Sequence, residues 1–233
     1  PRSTLFPYTT LFRSRLVALL TWKNSPRHKP LLLRGARQVG KSSSIHHLAE
    51  QFESFVEINF ERKPNFAEIF KGDLGAQHII ENIKSITGED IIPGKTLLFF
   101  DEIQMCKEAI SSLRFFWEDV PELHVIAAGS LLEFALNEIP TFGVGRIHSM
   151  FMYPMSFDEF MGALGMNVLC KAKQNATQTC PLPSFQHEKL VELFRTYLMV
   201  GGMPECVGTW VSTHSYAECQ TVQKELVNPP MGA

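Results

Sequence analysis

A lysine and a serine stand together behind a glycine, with a second glycine five residues earlier: Gly35-Ala-Arg-Gln-Val-Gly-Lys-Ser42. The run fits G-x-x-x-x-G-K-[ST], the phosphate-binding loop. Its chemistry depends on that order. Glycines let the backbone turn tightly and bring its N–H groups onto phosphate oxygens with no side chain in between. A helix starting after the loop adds the positive end of its dipole. Lys41 then supplies a point charge to the β- and γ-phosphates, and the Ser42 hydroxyl is a ligand for Mg²⁺. Gly35, Ala36, Arg37, Gln38, Val39, Gly40, Lys41, Ser42 and Ser43 are therefore the expected nucleotide-binding residues, with ATP and Mg²⁺ the expected cofactors. Arg37 and Gln38 are expected to contribute backbone, their side chains pointing outward or pairing locally.

A second group lies sixty residues beyond Lys41, in Leu97-Leu-Phe-Phe-Asp-Glu102. An acid at the tip of an apolar strand emerges where open α/β sheets bind ligands. Asp101 fits a Mg²⁺ partner acting through water, since that ion keeps several waters in its shell. Glu102 is placed to polarise the water that attacks the γ-phosphate. Ser130 follows another apolar run; its hydroxyl could touch the γ-phosphate or orient water, and equally could cap a helix starting at Leu131. Arg146, in Gly143-Val-Gly-Arg, reads either as a charge-stabilising arginine, in cis or in trans, or as a solvated loop residue. The expected catalytic set is thus Lys41, Glu102, Ser130 and Arg146, with Ser42 and Asp101 on the metal.

The elements needed to hold these groups follow from the pattern. Leu31–Leu33 is a short apolar run after Pro30, consistent with a buried strand, and Ile45, Leu48, Ala49 and Phe52 follow at helical spacing. Phe55–Phe60 alternates as a strand with one wetter face. Helical stretches are expected around Ala67–Lys71, Leu74–Ile86 and Ala109–Trp117. Thr96–Phe100 and Leu123–Ala128 read as buried strands, and Ile147–Tyr153 as a fifth. Strands alternating with helices imply parallel β-α units with helices on both faces, an α/β class. Beyond Pro154 the pattern is helical over Ser156–Leu164, Gln186–Val200 and Tyr216–Val227, with polar Lys171–Ser184 read as a loop. Residues 15–165 are expected to form the core and 166–233 a helical segment.

Composition narrows the function classes. The 233 residues are 45% hydrophobic and 20% charged, with a net charge of -2, and the pI is about 6.5. That balance gives no general attraction to nucleic acid or to an anionic membrane. Five cysteines without a C-x-x-C pair, and eight histidines without ligand spacing, argue against a zinc site or a disulfide framework and for a reducing cytoplasm. No apolar run approaches the roughly 18 residues of a membrane span. Residues 4–14, TLFPYTTLFRS, look like the in-frame translation of a common sequencing adapter, so residues 1–14 are expected to carry no selected structure. A helical pattern runs into Asn228-Pro-Pro-Met-Gly-Ala, where the chain is expected to be cut or frame-shifted.

Together GARQVGKS, LLFFDEIQ, AAGSLLEFAL, Gly145-Arg146, MYPMSFDEF and VGGMPE resemble a large group of prokaryotic AAA+-like ATPases that carry a C-terminal domain of unknown function. The resemblance covers nearly all of Arg15–Val227. It implies a phosphate-loop core of the additional-strand, catalytic-glutamate type with strand order 5-1-4-3-2, and Ser130 as a sensor-like residue. It also implies a winged-helix-like segment and a further domain downstream, which are expected to be missing from this chain. Three uses of the site stay open: Mg²⁺-dependent ATP hydrolysis serving a protein partner, a non-turnover nucleotide switch or scaffold, and a nucleic-acid motor or loader, against which the charge argues. A small-molecule kinase lacks a visible second-substrate motif. An oligomer is compatible with all of these.

Overall fold

Pro30 ends the N-terminal segment and the apolar residues after it form β1 (Leu31–Arg34), the strand that leads into the glycine-rich loop. The computed structural model describes residues 13–130, 132 and 145–227. The adapter-like segment, the helix expected from Leu131 and the terminal Asn228–Ala233 lie outside the described residues, apart from the backbone of Arg13 and Ser14 and for Leu132. The chain divides into two compact units, Arg15–Tyr153 and a second built from Pro154 onward.

In the first unit β2 (Ser54–Asn59), β3 (Thr96–Asp101), β4 (His124–Ala128) and β5 (His148–Phe151) join β1 in one sheet of order β2-β3-β4-β1-β5. Every pairing is parallel. This is the expected 5-1-4-3-2 order read from the other edge. β3 and β4 are buried at every position and β1 at its first three, as continuous apolar runs must be when helices cover both faces. The edge strand β5 is mostly exposed.

Among the described residues the sheet is flanked by α1 (Arg13–Lys23), α2 (Lys41–Ala49), a 3₁₀ turn at Pro64–Phe70, α3 (Ala76–Thr87), a second 3₁₀ turn at Ile103–Met105 and α4 (Lys107–Asp119). α3 buries Ala76, Ile79, Ile80 and Ile83, and α4 buries Ala109, Ile110, Leu113 and Phe116, the i, i+3, i+4, i+7 stripe of a half-buried helix. Asp119 accepts from the Ala76 N–H at 3.0 Å, satisfying one of the free donors at the start of α3. Phe100 is the hub of this face: its ring meets Phe60, Phe70 and Phe116 at centroid distances of 5.5–6.3 Å.

The second unit contains α5 (Phe157–Ala163), α6 (Asn167–Asn175), α7 (Ser184–Val200), α8 (Pro204–Thr213) and α9 (Tyr216–Val227). Ser156 and Glu159 form a reciprocal capping box at α5, with bonds of 3.3 and 2.8 Å. Met155 donates its N–H to the Gly202 carbonyl at 2.6 Å, and its own carbonyl accepts from Tyr197 Oη at 2.8 Å. A Cβ on Gly202 would overlap that Met155 carbonyl oxygen. The MSFDEF and VGGMPE runs are therefore two halves of one packing contact. Met155, Phe160, Val200, Cys206, Val207 and Cys219 form the core around it.

Two expectations change. The polar stretch from Lys171 is not loop throughout, because α6 runs to Asn175. Residues 204–213, for which the sequence predicts no element, form α8 with Pro204 at its first turn.

Candidate functional site

Parallel register brings the chemical residues to one edge of the sheet. Arg34 ends β1, Asn59 and Asp101 are direct partners at the ends of β2 and β3, and Ala128 ends β4. Between β1 and α2 the loop folds as its glycines require. Gly35 has φ 146° and Gly40 φ 93°, backbone that L side chains rarely adopt. A Cβ at Gly35 would also overlap the Met152 carbonyl oxygen. Val39 is fully buried and anchors the loop, whereas Ala36, Arg37 and Gln38 are exposed.

Gly40 has no side chain to cap α2, so the N–H groups of the first turn face outward as an anion cradle. The Lys41 ammonium donates to the carbonyls of Gly35 at 3.0 Å and Ala36 at 2.8 Å. These two bonds use two of its three donors. Burial lowers the Lys41 pKa below the usual lysine value, and the nearby Glu102 and Asp101 charges oppose that shift.

Asp101 is the meeting point of three elements. Its carboxylate accepts from Ser42 Oγ at 3.2 Å to each oxygen, from Asn59 Nδ2 at 3.0 Å and from the Glu102 N–H at 3.1 Å. Burial and then the adjacent Glu102 carboxylate push its pKa above the ordinary carboxylate range, against the hydrogen bonds from Glu102 and Ser42. Two oxygens 3.2 Å apart on different elements match neighbouring corners of a Mg²⁺ octahedron, where ligands at about 2.0–2.1 Å lie roughly 2.9 Å from each other. The donor set, hydroxyl plus carboxylate, is the hard-oxygen kind that ion takes. The residues present fit Mg²⁺.

Glu102 leaves the strand with φ 51°, a left-handed conformation uncommon outside glycine. Gln104 Nε2 donates to its carboxylate at 2.5 Å. Ser130, at the tip of β4, is 1% exposed and its Oγ has no hydrogen-bond partner among the described residues.

Residues 27–161 match the family model described as AAA domain. The chain belongs to the AAA domain family. It is a family of nucleotide-binding P-loop ATPases, in accord with the resemblance carried by the motifs. No curated protein matches this AAA domain protein. Among solved structures it is similar to PCH-2 of C. elegans, at 15% identity and TM-score 0.45, with 97% of this chain and 68% of that chain covered. It is also similar to the ORC1 protein of Aeropyrum pernix in complex with DNA, at 11% identity and TM-score 0.43; 72% of this chain and half of that one are covered.

Not every expected residue joins the cluster. Arg37 forms an exposed pair with Glu61 at 3.9 Å, and the Ser43 side chain is exposed on α2. Arg146 pairs with Glu118 at the end of α4 at 2.5 Å. It precedes β5, whose first residue, His148, is level with Leu31. Arg146 thus stands at the N-terminal edge of the sheet, a strand length, about 13 Å, from the edge that carries its own loop. Its side chain is paired with Glu118 and lies apart from the loop of its own chain. Conversely, Asn59 and Gln104 were missed. Asn59 was visible as a polar residue on the wet face of an alternating strand, but only the β2–β3 register sets it opposite Asp101.

Among the described residues no helix is long and apolar enough to cross a membrane, and no group of three or more His, Cys, Asp or Glu side chains is arranged to hold a metal ion by itself. A Mg²⁺ here would depend on phosphate oxygens and water for its remaining ligands.

Proposed function

We propose that this AAA domain protein binds ATP with Mg²⁺ at Gly35–Ser43 and hydrolyses it to ADP and phosphate, the nucleotide state regulating a protein partner. The observation that supports it most directly is the 3.2 Å approach of Ser42 Oγ to both Asp101 oxygens. It ties the loop to the acidic strand tip within the reach of one ion.

The loop amides and the Lys41 ammonium hold the β- and γ-phosphates. Ser42 and Asp101 would hold Mg²⁺, which would supply neutralisation of charge on the phosphate oxygens. Glu102 takes a proton from water as the water oxygen bonds to the γ-phosphorus. The bond from that phosphorus to the β–γ bridging oxygen breaks, and ADP carries away the electron pair. The Ser130 hydroxyl serves as the donor that senses the γ-phosphate. Arg146, on the far edge of its own sheet, fits a charge-stabilising role only toward a site in another copy of the chain. A coupling between nucleotide state and a partner follows the general behaviour of γ-phosphate switches.

Two variants test the assignment. Lys41→Ala is expected to abolish tight MgATP binding in calorimetry. Glu102→Gln is expected to keep that binding and lose turnover by about 10²–10³-fold. Unchanged phosphate release by the Glu102→Gln protein would remove Glu102 as the base.

A further inference from the structure

Three residues past the end of β3, Gln104 reaches back to the side chain expected to act as base. Its Nε2 lies 2.5 Å from Glu102 Oε2. An amide nitrogen facing a carboxylate fixes which way the amide points, because the reverse orientation would set two acceptors against each other. The other end of the same amide is then committed to the interior. Gln104 Oε1 is buried and has no hydrogen-bond partner among the described residues. A Cβ built on Gly129, the first residue beyond β4, would fall on that same oxygen. Gly129 has no left-handed backbone to justify a glycine. The space its missing side chain leaves is the space the Gln104 carbonyl fills.

A buried carbonyl without a donor costs stability. An apolar residue at position 104 would avoid that cost, so the glutamine is not explained by folding alone. Glu102, on a left-handed backbone and only partly buried, needs a second contact to keep its carboxylate in one place. We propose that Gln104 is a positioning residue that holds the Glu102 carboxylate in its working orientation, and that Gly129 is small so that Gln104 can occupy its seat. The inference rests on Glu102 acting as the base in ATP hydrolysis. It makes Gly129 a part of the machinery at one remove: β4 supports the base through Gln104.

The test uses the full chain with Gln104→Leu, Gln104→Ala, Gly129→Ala and the double Gln104→Ala/Gly129→Ala. Turnover of MgATP, calorimetric MgATP affinity and melting of the nucleotide-free protein are measured on each. Gln104→Leu is expected to lower kcat by up to about 10²-fold, the scale of a catalytic group displaced by an ångström. KM and MgATP affinity should stay within about twofold, as for a group that acts only on the chemical step. Gly129→Ala should reproduce the kcat loss in the wild-type background by evicting the amide. In the Gln104→Ala background the same methyl group should leave kcat unchanged, since the amide is already gone, and only its remaining neighbour, the Leu132 side chain at 3.3 Å, should register in the melting temperature. Equal effects of Gly129→Ala in both backgrounds would overturn the inference, as would normal kcat in Gln104→Leu. If the wild-type protein binds MgATP but never turns it over, the hydrolysis reading itself fails and takes the inference with it. Turnover in wild type and Gln104→Leu alike removes the inference alone.

Discussion

Asp101 carries two demands that pull in opposite directions with pH. Buried beside Glu102, its carboxyl holds a proton above the ordinary carboxylate range; to bind Mg²⁺ it must lose that proton. Between its unfolded value and its raised folded value, the folded chain keeps a proton that the unfolded chain has released. Stability from this group is therefore present at low pH and is lost as pH rises through the folded pKa. Metal affinity moves the other way. In titrations from neutral pH downward, MgATP affinity is expected to weaken while the nucleotide-free protein gains stability relative to Asp101→Asn. Calorimetry and urea unfolding of the two proteins over the same pH range check this, and parallel trends would contradict it. At this scale the sequence exposed Lys41, Ser42, Asp101 and Glu102, because their spacing is itself the chemistry. It did not expose Asn59 or Gln104. Each is a lone polar residue whose partner is fixed by strand register or by a turn, and neither leaves a pattern in the chain.

Among the elements, β3 does the most to place the site, since Asp101 is its last residue and Glu102 the first beyond it. The strand is held in the sheet by β2 and β4 on either side and under the sheet by Phe100 against Phe60, Phe70 and Phe116. Phe100→Ala is expected to destabilise the unit by about 3–5 kcal/mol, read as a lower urea midpoint with unchanged slope. Because Asp101 follows directly, MgATP affinity should fall as well. A cost below about 1 kcal/mol would mean that the ring cluster does not carry the strand. The elements that were readable beforehand share a buried face: β1, β3 and β4 as unbroken apolar runs, α3 and α4 as stripes. α6 has no fully buried residue; it is fastened by Leu169 and Cys170 against Met161, Leu190 and Leu193 and by Asp158, which pairs with Lys173 at 2.8 Å and Gln174 at 3.0 Å. Its apolar contact ends within its first turn, so the polar residues from Lys171 carry no periodic signal and read as loop. α8 is short, and its glycine and threonines obscured the Val207 and Trp210 spacing.

The two units differ in kind. In Arg15–Tyr153 a five-stranded sheet is covered by helices and centred on a large aromatic and aliphatic cluster. In the second unit α5, α7, α8 and α9 pack around Met155, Phe160, Val200, Cys206, Val207 and Cys219, while Phe185, Phe194, Leu198 and Met199 of α7 remain exposed. A shorter unit buries a smaller share of its apolar surface and has less stability to draw on. Every group assigned to phosphate or metal lies in the first unit, so ligand binding should stabilise that unit by linkage, about 2.7 kcal/mol at a hundredfold excess over Kd. The tryptophans separate the two: Trp22 and Trp117 report the first unit and Trp210 the second. In urea, Trp210 fluorescence of a Trp22→Phe/Trp117→Phe protein is expected to change first, at a midpoint that MgATP does not move. The signal of a Trp210→Phe protein should change later and shift upward with MgATP. Coincident transitions that shift together would instead make the chain one cooperative unit, with the nucleotide stabilising the helices as much as the sheet.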